Sequence, residues 1–205
     1  MADKIKLNKN ALREQNQALR LYEEFLPTLE LRKQQLQHEL RRVEGTLRAR
    51  RASLQAQIDA TEPWRALLGR DQRALQQVVR VEAIERGETS LAGVRVPTLH
   101  EVRFSPLRYS RVGTPPSFDA SVRFLQSAIE AQISIALTLE QRSRLQAELT
   151  RTTQRINLYE KVLIPEARHN IRRIKVYLGD QQTAAVCRAK IAKAKLVAKS
   201  SQEGH

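Results

Sequence analysis

Residues 11–54 read ALREQNQALRLYEEFLPTLELRKQQLQHELRRVEGTLRARRASL, and the spacing of their apolar residues decides the fold. Leu12, Leu19, Leu26, Leu40, Leu47 and Leu54 fall on one heptad position. Tyr22, Leu29, Leu36 and Val43 fall on its companion. A stripe in alternating three- and four-residue steps, sustained this long, is the pattern of a coiled-coil seam; the face of a globular helix is wider and shorter. Gln15, Lys33 and Arg50 interrupt the seam. The stems of Lys33 and Arg50 are expected to lie along it while their charges reach water, a reading favoured over a register-setting role. At about 1.5 Å per residue, a helix from near residue 5 to residue 60 would be roughly 80 Å long. Pro27 lies inside it and is expected to bend the rod without ending it.

Working outward, a second helix is expected to start near Ser117, as a hydroxyl cap after Thr114-Pro115-Pro116. Its seam passes through Val122, Leu125, Ile129, Ile133 and Ala136. It continues through Leu145, Leu149, Thr152, Ile156, Tyr159 and Leu163, and Pro165 interrupts it. The stripe then returns as Ile164, Ala167, Ile171, Ile174 and Leu178, shifted by one residue, which should change the local supercoil. Gly179-Asp180 is a further weak point, and helix resumes over 184–199.

The residues between have another composition. Trp64 to Ala83 predicts one or two short helices, with Trp64 packing this insert against the long helices, a reading favoured over an anchor for a partner. Val79, Val81, Val94 and Val96 alternate with charged residues and predict a hairpin, with its turn around Gly87. Pro97 confines its strand to an edge or ends it. Val102-Arg103-Phe104 reads as a third short strand, and residues 105–116 as a loop. Two seams of similar length at the two ends of one chain pair antiparallel. The expected fold is therefore mainly α, a long antiparallel two-helix coiled coil with a short mixed insert containing a β-hairpin. Its parts are a coiled-coil helix over 5–60, the insert over 61–116, a second coiled-coil helix over 117–199 and a disordered tail over 200–205.

Composition agrees. Aromatic residues make up only 4% of the 205, too few for a large compact core. The net charge is +14, which points to an acidic partner. It is unevenly placed: the first sixty residues carry twelve basic and eight acidic side chains, whereas 168–199 carries nine basic ones against Asp180 alone. Cys187 is the one cysteine, so no disulfide forms within the chain and a reducing, cytosolic setting is expected. The N-terminus lacks the apolar core of a signal peptide, and no run approaches the ~18 apolar residues of a membrane span. The glycines form no phosphate-cradling loop followed by Lys and Ser or Thr. His38, His100, His169 and His205 are scattered, with no cysteine or carboxylate at ligand spacing. No catalytic residue, cofactor or metal site is expected.

Three stretches carry a family resemblance. They are Leu7–Leu12 continuing to Phe25–Leu36, then Leu91-Ala92-Gly93-Val94-Arg95-Val96-Pro97, then Arg155–Pro165 with Ile171 and Ile174 beyond. In this order they resemble the D subunits of the V/A-type (vacuolar/archaeal-type) rotary ATPases, in their bacterial branch. Gly179-Asp180-Gln181-Gln182 departs from the family, whose members tend to be more acidic and uninterrupted there. The resemblance implies a non-catalytic central rotor shaft that couples ATP hydrolysis or synthesis in a catalytic hexamer to ion translocation through a membrane rotor ring. It implies as partners the catalytic and regulatory subunits of the hexamer, a small central-stalk subunit and a collar subunit above the rotor ring. It implies a place on the cytoplasmic face of the membrane within a peripheral complex, with no direct membrane insertion and no direct nucleic-acid contact.

The seam residues expected to hold the shaft are Leu12, Leu19, Leu26, Leu29, Leu36, Leu40, Val43, Leu47 and Leu54, facing Leu149, Ile156, Tyr159, Leu163, Ile171 and Ile174. The expected bearing contacts with the hexamer are Arg168, Arg172, Arg173, Lys175, Arg188, Lys190, Lys193, Lys195 and Lys199. Val81, Val94, Arg95 and Val96 are the expected contacts with a stalk partner. Two other readings compete. One is a coiled-coil adaptor or export chaperone acting on a secretion ATPase; such proteins usually lack an inserted hairpin, so Leu91–Pro97 discriminates. The other is a basic helical nucleic-acid binder, for which the basic stretch lacks interleaved aromatic residues, Tyr177 being the only one after Tyr159.

Overall fold

Asn8 starts the first helix. Its Oδ1 accepts the backbone N–H of Ala11 at 2.7 Å, an N-cap that satisfies one of the donors a helix start leaves open. Helix α1 spans Lys9–Asp59, so it begins later than expected, and Pro27 lies inside it. A 3₁₀ turn at Glu62–Trp64 and helix α2, Gln72–Val78, follow. Strands β1, Val81–Leu91, and β2, Val94–Phe104, come next. Helix α3 spans Ser117–Leu158, a π turn covers Tyr159–Leu163, and α4 spans Ile164–Gln202. The computed structural model describes residues 6–64, 72–106, 109, 115 and 117–202. Part of the helical reading of 64–83 and most of the loop read over 105–116 lie outside the described residues.

The chain groups into two compact units that cut across the helix–insert–helix division. One contains 32–152, and the other contains the residues up to Leu31 together with those from Thr153.

Within the unit 32–152, α1 and α3 meet through Leu36, Val43 and Leu145, with Leu40 and Leu149 packed beside them. The hairpin tip joins the same cluster through Leu91, Ala92 and Val94. β1 and β2 are antiparallel, with Leu91 opposite Val94. The turn is therefore Ala92-Gly93 and not the neighbourhood of Gly87. Ala92 and Gly93 have φ of 47° and 76°, the paired positive angles of the tight turn whose twist suits a hairpin. Gly87 lies within β1 opposite Thr98, where a side chain would run into the His100 ring. Val102–Phe104 is no third strand but the end of β2. Pro97 sits inside β2, which tolerates it because both strands of a two-stranded sheet are edges.

A second cluster in this unit joins Leu75 of α2 to Phe118 and Val122 of α3, with Val78, Val79, Tyr109 and Leu125 around it. Tyr109 packs edge-on against Phe118 and donates its hydroxyl to Asp119 at 2.6 Å. Trp64 packs edge-on against Phe124 of α3. At the start of α3, Phe118 N–H bonds to the carbonyl of Pro115, and the Ser117 carbonyl accepts the Ser121 hydroxyl. Ala136, expected in the seam, is exposed, whereas Ile135, Leu137 and Thr138 are buried. Ile135 and Thr138 lie on the three- and four-residue steps that run back from Thr152, Leu149 and Leu145 through Arg142, whereas Ala136 falls between them.

In the other unit the helix is not broken at Pro165. The Ile164 N–H reaches back five residues to the Tyr159 carbonyl, widening one turn. Proline lacks an N–H, and its ring crowds the carbonyl four residues back; a wider turn moves that carbonyl away. The wide turn inserts one residue, and one residue is the phase shift of the seam between Leu163 and Ile164. Gly179 does not break α4, and helix continues to Gln202, three residues into the stretch expected to be a disordered tail.

Candidate functional site

The unit with both termini holds the basic end of the chain. Ile156, Ile164, Ala167, Ile171 and Ile174 are buried along its seam. Tyr22 and Tyr159 meet edge-to-face at 5.4 Å. Asn170, almost fully buried, donates to Gln15 Oε1 at 3.5 Å, so the interruption at Gln15 is answered by a polar residue on the facing helix. Arg168 pairs with Glu23 at 2.8 Å, an exposed pair worth under ~1 kcal/mol.

Arg172, Arg173 and Lys175 are exposed, with His169 and Arg172 flanking an open groove that Leu7, Val176 and Tyr177 also line. From Gly179 to Lys195 every residue is exposed. This stretch presents Arg188, Lys190, Lys193 and Lys195 together with Val186 and Ile191, which are 54% and 57% exposed. Lys199 lies in α4. A helical end carrying bare apolar side chains among cations is suited to lie against an apolar surface with acidic groups at its rim.

The seam positions divide by burial. Leu36, Val43, Leu47, Ile156, Ile171 and Ile174 are buried. Leu12, Leu19, Leu26, Leu29, Leu40, Leu54, Leu149, Tyr159 and Leu163 are half-buried. Lys33 is half-buried too. Arg50 is exposed, as expected, yet one guanidinium nitrogen also donates to the Ser134 carbonyl at 3.0 Å and to the Thr138 hydroxyl. Thr138 is buried, so this seam interruption ties α1 to one position along α3.

The expected stalk-partner contacts are not alike. Val81 and Arg95 are exposed. Val96 is fully buried, and Val94 packs into the Leu36 cluster, so neither offers surface. Alternation placed these valines on a strand but not on its inner face. Two residues of α3 that the sequence did not single out hold β2 down. Gln141 donates to the Pro97 carbonyl at 2.6 Å, and Arg144 to the Arg95 carbonyl at 3.1 Å. Their three-residue spacing puts both on one side of α3, a pattern too common in helices to signal a role.

Elsewhere on the hairpin, Arg103 sits beside Glu85 and Glu101, and Glu85 chiefly raises the guanidinium above its ordinary range. Among the described residues no group of three or more His, Cys, Asp or Glu is placed to hold a metal, and no helix is long and apolar enough to cross a membrane.

Comparison with known proteins gives one family. A profile for the ATP synthase D subunit matches residues 11–194. The V-type ATP synthase D subunit of Borreliella burgdorferi is 34% identical over 197 residues, which cover 96% of this chain and 97% of the relative. The V-type ATP synthase D subunit of Chlamydia muridarum is 32% identical over 203 residues, covering 96% and 98%. That of Chlamydia felis is 32% identical over 201 residues, covering 96% and 95%. A chain of long helices with a hairpin insert, matched over 96% of its length at this identity, belongs to the D-subunit family of V-type ATP synthases.

Proposed function

We propose that this chain is the central shaft of a rotary ATPase and carries torque between a nucleotide-processing ring and an ion-translocating rotor, with no reacting group of its own. The observation that carries the reading is the family match over 11–194, together with the cationic, bare helical end at 179–195. The ring of catalytic and regulatory subunits surrounds that end, and Arg168, Arg172, Arg173, Lys175, Arg188, Lys190, Lys193, Lys195 and Lys199 bear on it. A small stalk subunit and a collar above the rotor ring bind nearer the insert, where Val81 and Arg95 are the exposed candidates. The shaft reaches the cytoplasmic face of the membrane through these partners.

Reconstitution tests this. The purified chain alone should hydrolyse no ATP, and ion pumping by the assembled complex should be lost without it. Hydrolysis by the isolated, contaminant-free chain, or pumping that persists in its absence, would overturn the proposal.

A further inference from the structure

Both helices of the terminal unit lose backbone hydrogen bonding at the same place. Pro27 has no N–H, so the Glu23 carbonyl does not receive the bond that an α-helix normally supplies. On the facing helix Pro165 cannot donate either, and just before it the ladder widens into the π turn, Ile164 bonding back to Tyr159. Two side-chain contacts set the level. Tyr159, the first residue of the wide turn, packs on Tyr22. Arg168, just beyond Pro165, reaches Glu23. Tyr22 and Glu23 are neighbours, and Glu23 owns the carbonyl that Pro27 leaves open. The two defects therefore face each other across the seam.

Packing does not make good the loss. Leu21, Phe25, Leu158 and Val162 lie around this level, and all are close to half exposed. By heptad position Phe25 and Val162 fall on the flanks that face each other in an antiparallel pair, so one side here is apolar and open. A helix segment with missing ladder bonds and few buried contacts has a low free energy of local opening. The register also shows that the extra residue is a separate feature. With one residue removed from the wide turn, Ile156, Tyr159, Ile164, Ala167, Ile171 and Ile174 would follow unbroken three- and four-residue steps.

We propose that the Pro27 gap and the Tyr159–Leu163 turn together form a compliant joint, a level at which the helix pair opens and twists before the seam on either side. That the joint serves a torque-bearing shaft rests on the function proposed above; the local opening itself does not.

Backbone hydrogen exchange on the full chain tests it. Amides of residues 24–26, 28 and 160–164 should exchange at least about ten-fold faster than those of 153–158 and 167–174. A straightened variant, with Lys161 deleted and Pro165→Ala, should slow the 160–164 amides about ten-fold and leave 32–152 unchanged. Pro27→Ala is the milder variant and should slow exchange of the amides of 24–26 and 28 on its own, whether or not the deletion folds. Equal protection of joint and flanks in the native chain, or no slowing in Pro27→Ala, would overturn the joint. A chain that shows the fast segment but fails to bind the isolated ring would lose the proposed function and keep the joint.

Discussion

Leu36 has no exposed surface and sits where α1 meets Leu145. Leu31, five residues earlier in the same helix, is 56% exposed. The two leucines separate what a seam residue contributes from what any leucine in a helix contributes. Truncating Leu36 to Ala leaves a cavity that neighbouring side chains only partly fill, and the expected loss is about 2–5 kcal/mol. Leu31→Ala should change stability by under ~0.5 kcal/mol, because alanine is the better helix former and little packing is lost. Urea denaturation of the two variants checks this; similar midpoints would mean that Leu36 is not a core residue. The glycines divide in the same way. Gly93 needs its positive φ, and Gly93→Ala should cost about 1 kcal/mol through backbone strain with nothing in the way of the methyl. Gly87 has an extended partner across the sheet, but a Cβ there would collide with the His100 ring, so Gly87→Ala should displace His100. The double change Gly87→Ala with His100→Ala should then recover most of any loss, a coupling that thermal melting of the single and double variants reads.

At the scale of elements, the hairpin is held by its tip and by its outer edge. Leu91, Ala92 and Val94 enter the Leu36 cluster, while Gln141 and Arg144 of α3 take the carbonyls of Pro97 and Arg95. Those carbonyls lie on the side of β2 away from β1, where an edge strand otherwise presents unpaired groups. Replacing both Gln141 and Arg144 by Ala should cost about 0.5–1.5 kcal/mol per bond and raise exchange across β1 and β2, with α1 unaffected. Unchanged hairpin protection would show that the tip alone holds it. These elements also show how much the sequence could reveal. The long helices were legible because a heptad repeats over many turns and each turn adds evidence. The wide turn was legible as a one-residue phase shift, although the shift named a defect in the seam and not its geometry. The hairpin turn was misread because Gly87 is a generic turn signal, whereas the true turn begins with Ala92, a residue seldom found at positive φ. Ala136 was misplaced because the seam of Leu145, Leu149 and Thr152 runs back in three- and four-residue steps through Thr138 and Ile135, and the pattern of one helix alone did not show which phase the facing helix takes. The Arg50 bond to Thr138 was missed for the same reason: an interruption marks the place, and only the facing helix shows what answers it.

For the molecule as a whole, the question is what its charge does. The net +14 is concentrated late in the chain, and the residues from Gly179 to Lys195 are all exposed. Exposed charges add little to folding, typically under ~1 kcal/mol each. They repel one another along the helix, a cost that an acidic partner removes on binding. Folding and binding should therefore separate cleanly between two variants. Arg188→Glu, Lys190→Glu, Lys193→Glu and Lys195→Glu together should melt within a few degrees of wild type, about the shift that ~1 kcal/mol produces in a chain of this size. The same variant should bind the isolated ring of catalytic and regulatory subunits at least about ten-fold more weakly, and wild-type affinity should fall as salt shortens the reach of the charges. Val186→Ser with Ile191→Ser probes the other half of this surface. It should weaken ring binding without changing its salt dependence, because apolar contact is not screened. Leu36→Ala should do the reverse of the charge reversal, melting early while the folded fraction still docks at the basic end. Thermal melting and ring binding over a range of salt, run on all three variants, decide the matter. A charge-reversed chain that melts early and binds normally would mean that these cations hold the fold, and an affinity indifferent to salt would remove them from the bearing surface.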